Sequence, residues 1–227
     1  MLTARSRFAD RTEAGRLLAE ALAARALKDA IVYALPRGGV PVAFEIARAL
    51  DAPLDLALVR KIGAPGQPEL ALAAVVDGES PHMVVNEELL RATGVTPAYL
   101  EREKARELAE IERRRRLYLA DRPHTDPKGR TAIIVDDGLA TGATALAAIE
   151  ALRARGVAKI ILAVPVAPPQ TAEAMRAEVD ELVCLAEPAM FWGVGGFYDD
   201  FHQLTDAEVV RYLAEAKDFG RARADRI

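Results

Sequence analysis

The sequence predicts an α/β fold, a mostly parallel sheet flanked by helices. Two observations carry this: short apolar, β-rich runs alternate with helix-like segments, and the runs are apolar almost throughout, as strands buried on both faces must be. No repeat or low-complexity linker breaks the alternation, so residues 1–227 are expected to form a single domain with smaller accessory pieces. With 51% hydrophobic and 28% charged residues, a chain of this length buries a real core without a covalent staple.

The first unit is a strand over Ala30–Leu35, the turn Pro36-Arg37-Gly38-Gly39, a helix over Pro41–Leu50 and a strand over Leu54–Val59, together one βαβ unit. Residues 62–80 are punctuated by Gly63, Pro65, Gly66, Pro68 and Gly78, which predicts a flexible loop or a loosely held hairpin around Leu70–Val76. His82–Val85 ends at Asn86, placed to cap a short helix whose first turn holds Glu87 and Glu88, where acids face the positive end of the helix dipole. The charge-dense stretch Pro97–Ala120 reads as a helix in which Glu110 and Arg114, and Glu112 and Arg116, stand four apart in the favourable order. The run Arg113–Arg116 is therefore read as a solvated face rather than a nucleic-acid patch. Segment 86–127 exceeds what a connection requires and is expected to build a helical insert lobe.

After the turn-prone Asp121–Arg130, Thr131–Val135 is a β-branched strand that ends in two aspartates. A helix follows from about Thr144 to Arg155, stopped by Gly156. Lys159–Val166 and Glu181–Ala186 are strands separated by a helix from about Thr171. Glycine and aromatic residues crowd Phe191–Tyr198, and an amphipathic helix over Asp206–Asp218 has Thr205 or Asp206 at its cap.

Composition excludes several classes. The single cysteine, Cys184, lies in an apolar run and reads as a small buried hydrophobe, so no disulfide forms within the chain. His82, His124 and His202 are scattered, and no zinc-ligand spacing can be written. The N-terminus lacks the order of a signal peptide and no apolar run approaches the ~20 residues of a membrane span, which sets the expectation of a cytoplasmic protein with no membrane partner. A net charge of -4 argues against a protein that coats nucleic acid.

The chemistry concentrates in Asp136-Asp137-Gly138-Leu139-Ala140-Thr141-Gly142-Ala143-Thr144, at a strand's carboxyl end where open α/β sheets bind ligands. Its small residues let backbone N–H groups converge on an anion at a helix N-terminus, with Thr141 and Thr144 adding hydroxyls. Two adjacent carboxylates beside such a cradle would repel a phosphate unless they face hydroxyls or a divalent cation, and a ribose diol next to a 5-phosphate meets that need. Helix capping by Asp-Asp and a generic nucleotide-binding turn remain open readings. The usual P-loop and the Gly-x-Gly-x-x-Gly fingerprint are both absent from this stretch.

Ile133–Thr144, with apolar strand, acid pair and Thr-Gly-x-Thr in register, resembles the signature of type I phosphoribosyltransferases, which binds phosphoribosyl pyrophosphate (PRPP). The resemblance implies that family's core, with a hood over about 187–205. It places Asp136 and Asp137 on the ribose hydroxyls, directly or through Mg2+, and Gly138, Leu139, Ala140, Thr141, Gly142, Ala143 and Thr144 around the 5-phosphate. The turn Arg37-Gly38-Gly39 is similar to the family's pyrophosphate loop, and Arg60 and Lys61 stand where a mobile loop brings cations to the leaving group. Asp136, Asp137 and Arg37 are thus the expected catalytic groups. Phe191, Trp192 and Val194 resemble the base-binding hood of purine-type members, and Asp199 matches an acid expected near the metal.

Ala140 stands where many purine-salvage members carry a third acid. No lysine follows Lys159–Val166 as it does in 6-oxopurine enzymes, which turns the expectation away from those bases. The implied activity is transfer of phosphoribosyl from PRPP to a nucleobase-like acceptor, in a homodimer as is common in the family. The alternative is a PRPP-sensing regulator; a DNA-binding one should carry a helix-turn-helix or a basic face, while Arg113–Arg116 leaves an RNA-binding one open.

Overall fold

The computed structural model describes residues 7–25, 27, 29–76, 82–120 and 125–220. In chain order the elements are α1 (Arg11–Ala23), β1 (Ala30–Ala34), α2 (Gly39–Leu50), β2 (Leu54–Leu56), β3 (Val59–Ala64), β4 (Gln67–Val76), β5 (His82–Val85), α3 (Glu87–Thr93) and α4 (Pro97–Leu119). The second half adds β6 (Thr131–Val135), α5 (Ala143–Ala154), β7 (Lys159–Val166), α6 (Pro169–Glu178), β8 (Glu181–Ala186), a 3-10 turn at Val194–Phe197 and α7 (Asp206–Glu215).

The main sheet has the order β2-β1-β6-β7-β8, and every neighbouring pair in it is parallel. Strand residues alternate between two cores, as a period of two requires. Ala30, Val32 and Ala34 face a layer that includes Leu18 and Leu22 of α1, Ile46 of α2 and Leu213 of α7. Ile31 and Tyr33 face Ile149 and Leu152 of α5 and Met175 of α6. Coverage on both faces explains why all five residues of β1 are buried.

The structure departs from the sequence reading at Leu54–Val59, which is two strands rather than one: β2 closes the parallel sheet at its edge and β3 opens an antiparallel sheet of order β3-β4-β5. Residues 62–76 are part of that sheet, with β3 and β4 joined at Pro65-Gly66, where Gly66 has φ 75° as a type II turn needs. Packing on both faces holds this hairpin, whose register shifts between Ile62 and Ala64. Ile62, Ala73 and Val75 join Ile111, Tyr118 and Leu119 of α4, and Ala74 meets Ala147 and Ala151 of α5. Gly78 and the rest of 77–81 lie outside the described residues.

Segment 86–120 forms α3, capped by Asn86, and the 23-residue α4. Arg113 and Arg114 both pair with Glu110, and Arg116 with Glu112. Hydrogen bonds from Arg113 and Arg114 draw the Glu110 carboxyl down to about 2. The sequence reading assigns no element before Ala30, yet α1 fills that stretch, capped by Asp10, and Gly15 lets it close on α2: a Cβ there would lie 2.7 Å from Val42 O. Among the described residues no helix is long and apolar enough to cross a membrane.

Candidate functional site

β2 lies on one side of β1 and β6 on the other, so the chain leaves β1 and β6 at the point where strand order reverses, the position at which open α/β sheets bind ligands. Leu35 N–H donates to Val135 O at 2.9 Å and ties the two exits together. A Cβ on Gly39 would lie 2.5 Å from Val135 O, and one on Gly38 only 2.1 Å from Asp137 Oδ2. The Arg37 turn and the acid pair are therefore in van der Waals contact, which two residues without side chains permit. The Pro36–Arg37 peptide is cis.

Asp137 N–H donates to Asp136 Oδ1 at 2.9 Å, and Arg11 Nε donates to Asp137 Oδ2 at 2.8 Å with side-chain exposures of 8% and 13%. Burial and then the neighbouring Asp137 charge hold the Asp136 carboxyl well above the usual carboxylate range. Burial also raises Asp137, against the opposing pull of Arg11. Arg11 is not among the residues that the sequence singles out; nothing in Asp10-Arg11-Thr12 marks it, because its partner lies 126 positions away.

Beyond the acids, Leu139 N–H is spent on Val166 O at 2.9 Å, and Gly142, with φ 75°, turns the chain into α5. Thr171 Oγ donates to Ala140 O at 2.8 Å and braces the turn from α6. The N–H groups of Ala140, Thr141, Gly142 and Thr144 have no acceptor among the described residues. Unspent donors at the start of a 12-residue helix are chemically suited to an anion.

The segment after β8 closes over this loop. A Cβ on Gly138 would lie 2.6 Å from Val194 Cγ1, so Val194 sits directly on the acid loop. Phe191 stacks on Phe197 with centroids 5.4 Å apart, while Trp192 is 93% exposed. Buried Tyr198 lies between Phe8 and Phe201 and donates its hydroxyl to Asp137 O at 2.6 Å.

Residues 9–202 match the phosphoribosyl transferase domain family. The chain belongs to that family. It is 46% identical over 218 residues to "Putative phosphoribosyl transferase Rv0571c" of Mycobacterium tuberculosis, covering 96% of this chain and 49% of the relative. The protein MT0597 from another strain of that organism matches equally. This phosphoribosyl transferase chain thus spans about half the length of the curated relatives it matches. The crystal structure of TT1426 from Thermus thermophilus is 45% identical with a TM-score of 0.79, covering 92% of this chain and 98% of that one.

Within the phosphoribosyl transferase domain, the structure gathers Arg37–Gly39, Asp136–Thr144 and Val194 at one place and leaves other candidates outside it. Arg60 is ion-paired with Glu107 of α4 at 2.6 Å, and exposed Lys61 lies opposite Ala74 on the other face of β3. Asp199 pairs with Arg7 at 3.2 Å on the surface. Among the described residues no three His, Cys, Asp or Glu side chains converge on a metal position. Arg37 Nη1 is 3.7 Å from Asp206 Oδ1 of α7, which also accepts a hydrogen bond from the Tyr118 hydroxyl of α4, so α4 is linked to the Arg37 turn through Asp206.

Tyr198→Phe tests the link between segment and acid loop. It leaves Asp137 O without its buried donor at a cost of about 1–3 kcal/mol. A melting temperature lowered by roughly 2–12 °C is expected for a domain of this size; an unchanged melting curve would show that the bond contributes nothing.

Proposed function

We propose that this chain transfers the 5-phosphoribosyl group of PRPP to a ring nitrogen of a planar base, with a purine-type acceptor favoured, and releases pyrophosphate. The bond from ribose C1 to the pyrophosphate oxygen breaks as the bond from C1 to nitrogen forms. The observation that carries this reading is the contact of Gly38 with Asp137: it sets a turn bearing a permanent cation against a carboxylate pair, and the same loop continues from the pair into the unspent amides of Ala140, Thr141, Gly142 and Thr144. That order of groups matches a ligand with pyrophosphate, a diol and a 5-phosphate in sequence.

In this reading Asp136 and Asp137 orient the ribose hydroxyls, and the amides of Ala140, Thr141, Gly142 and Thr144 take the 5-phosphate. Arg37 meets the pyrophosphate after leaving Asp206, a loose 3.7 Å contact. Gly38 and Gly39 let the backbone approach the same group. Arg60 and Lys61 act on the leaving group only if β3 moves, since Arg60 is now held by Glu107. Exposed Trp192 offers a stacking face to the acceptor, which supports a wide planar ring. Positioning and charge stabilisation do the work, because the transition state is a sugar cation separating from a polyanion.

Magnesium fits this donor set. It prefers oxygen ligands and is commonly bound through one or two carboxylates together with substrate phosphates and water, so the lack of a three-residue cluster is no obstacle. Asp136 and Asp137 would hold it, and Asp199 would join only by leaving Arg7. When bound it offsets charge on the pyrophosphate.

Pyrophosphate release from PRPP with magnesium, measured over a panel of purine, pyrimidine and related ring acceptors, tests the proposal. Release that depends on one acceptor class is expected. PRPP binding by calorimetry without release from any acceptor would point instead to a PRPP sensor, and no PRPP binding at all would remove the reading.

A further inference from the structure

Arg11 belongs to none of the loops assigned above, yet it joins the acid loop to segment 197–202. Its Nε donates to Asp137 Oδ2 at 2.8 Å, its Nη1 donates to His202 O at 3.0 Å, and its guanidinium carbon lies 3.9 Å from the centroid of the Phe201 ring. The side chain is 8% exposed. Its place is fixed from below by the first turn of α1 and from the side by backbone pairing of the preceding residues: Phe8 N–H donates to Phe197 O at 2.8 Å, and Phe8 O and Ala9 O each accept at 2.9 Å from Asp199 and Asp200 N–H.

We propose that Arg11 is a positioning residue of the ribose site, which holds the Asp137 carboxylate in one orientation and fastens it to segment 197–202. This rests on the ribose-binding reading of Asp137 given above. Two alternatives meet the same geometry less well. As a purely stabilising ion pair Arg11 would be poorly placed, because burying two charges costs about as much as their attraction returns. As a latch occupying the carboxylate until ligand arrives, it would need room to swing away, and it is clamped by backbone, carboxylate and ring at once. A fixed strut is what remains. The guanidinium engages Oδ2 alone, so the second carboxylate oxygen carries no bond to Arg11. A planar cation with several fixed donors suits this task, since one group satisfies a carboxylate and a carbonyl in different directions.

The test compares ligands that share the phosphate cradle but differ in the ribose. Wild type, Arg11→Gln and Arg11→Lys are titrated calorimetrically with PRPP, ribose 5-phosphate and inorganic phosphate in magnesium, with thermal melting of each variant. Arg11→Gln is expected to weaken PRPP and ribose 5-phosphate by roughly 10- to 100-fold, the range for removing a group that orients a ligand-binding side chain. Phosphate affinity should stay put, and Arg11→Lys, which keeps the charge but not the fork, should recover part of the loss. Parallel weakening of all three ligands would reassign Arg11 to the general fold, and this comparison can be made on Arg11→Lys alone if Arg11→Gln does not fold. Unchanged or tighter PRPP binding would overturn the strut. Wild type that binds phosphate but neither ribose ligand would instead overturn the ribose reading of Asp137, and the role of Arg11 with it.

Discussion

Asp137→Asn is expected to lower PRPP-dependent pyrophosphate release by roughly 100-fold or more, the scale on which loss of one preorganised polar group acts in a desolvated site. The amide keeps the volume of the carboxylate, so the contact with Gly38 survives while the charge is lost. The stability effect should be small because two changes oppose each other. Arg11 loses a buried ionic partner, although the amide oxygen still accepts its Nε–H, and Asp136 is relieved of a like charge that helps push its own carboxyl upward. A net change within about 2 kcal/mol is expected. The decisive measurement pairs the release assay with a melting curve: loss of activity with a melt near wild type assigns the carboxylate to function. Full activity in Asp137→Asn would remove the acid pair from the site.

The sequence made most of the sheet legible for a physical reason. Thr131–Val135 and Lys159–Val166 agree with the observed strands because each is a short apolar run buried on both faces, and the half-buried edge run Glu181–Ala186 agrees as well because its β-propensity points the same way. The same rule misled at Leu54–Val59. Ala57 and Leu58 are buried between β2 and β3, so hydrophobicity runs unbroken across the place where parallel pairing ends and antiparallel pairing begins. In 62–76, glycine and proline argued for a loop or a loose hairpin; the hairpin that forms shifts register around Gly63 and is packed against α4 and α5, whose packing no local pattern reveals.

The site divides in the same way. The acid pair and the glycine turn were readable because several residues in register carry one chemistry within a dozen positions. Arg11, Tyr198 and Asp206 reach the site across long sequence separations, at Asp137 Oδ2, Asp137 O and Arg37, and such contacts leave no spacing to read. Arg60 shows the converse: a cation at a strand exit looks available in the sequence, but the register of β3 turns it toward Glu107.

The two glycines of the Arg37 turn separate a functional from a structural requirement. Gly38 has φ -59° and ψ -40°, a conformation open to any residue, so Gly38→Ala carries no backbone penalty and gains slightly from a less flexible unfolded chain. Its Cβ, however, would stand 2.1 Å from Asp137 Oδ2 and 2.5 Å from Asp137 Cγ. Only the carboxylate can yield, and it must move by about an ångström or more. Misplacement on that scale costs about 100-fold in activity, with a near-native melting temperature.

Gly39 meets backbone instead, at 2.5 Å from Val135 O and 3.0 Å from Asp136 Cα, and neither atom can move without parting β1 from β6. Gly39→Ala is therefore expected to destabilise the domain by about 1–3 kcal/mol, the usual range for overpacking, and to lower its melting temperature by several degrees. Melting curves and PRPP titrations of the two variants, run side by side, decide the matter. A Gly38→Ala protein that binds PRPP like wild type would mean that the position of the Asp137 carboxylate is immaterial to the ligand, and the proposed ribose site would then have to lie elsewhere.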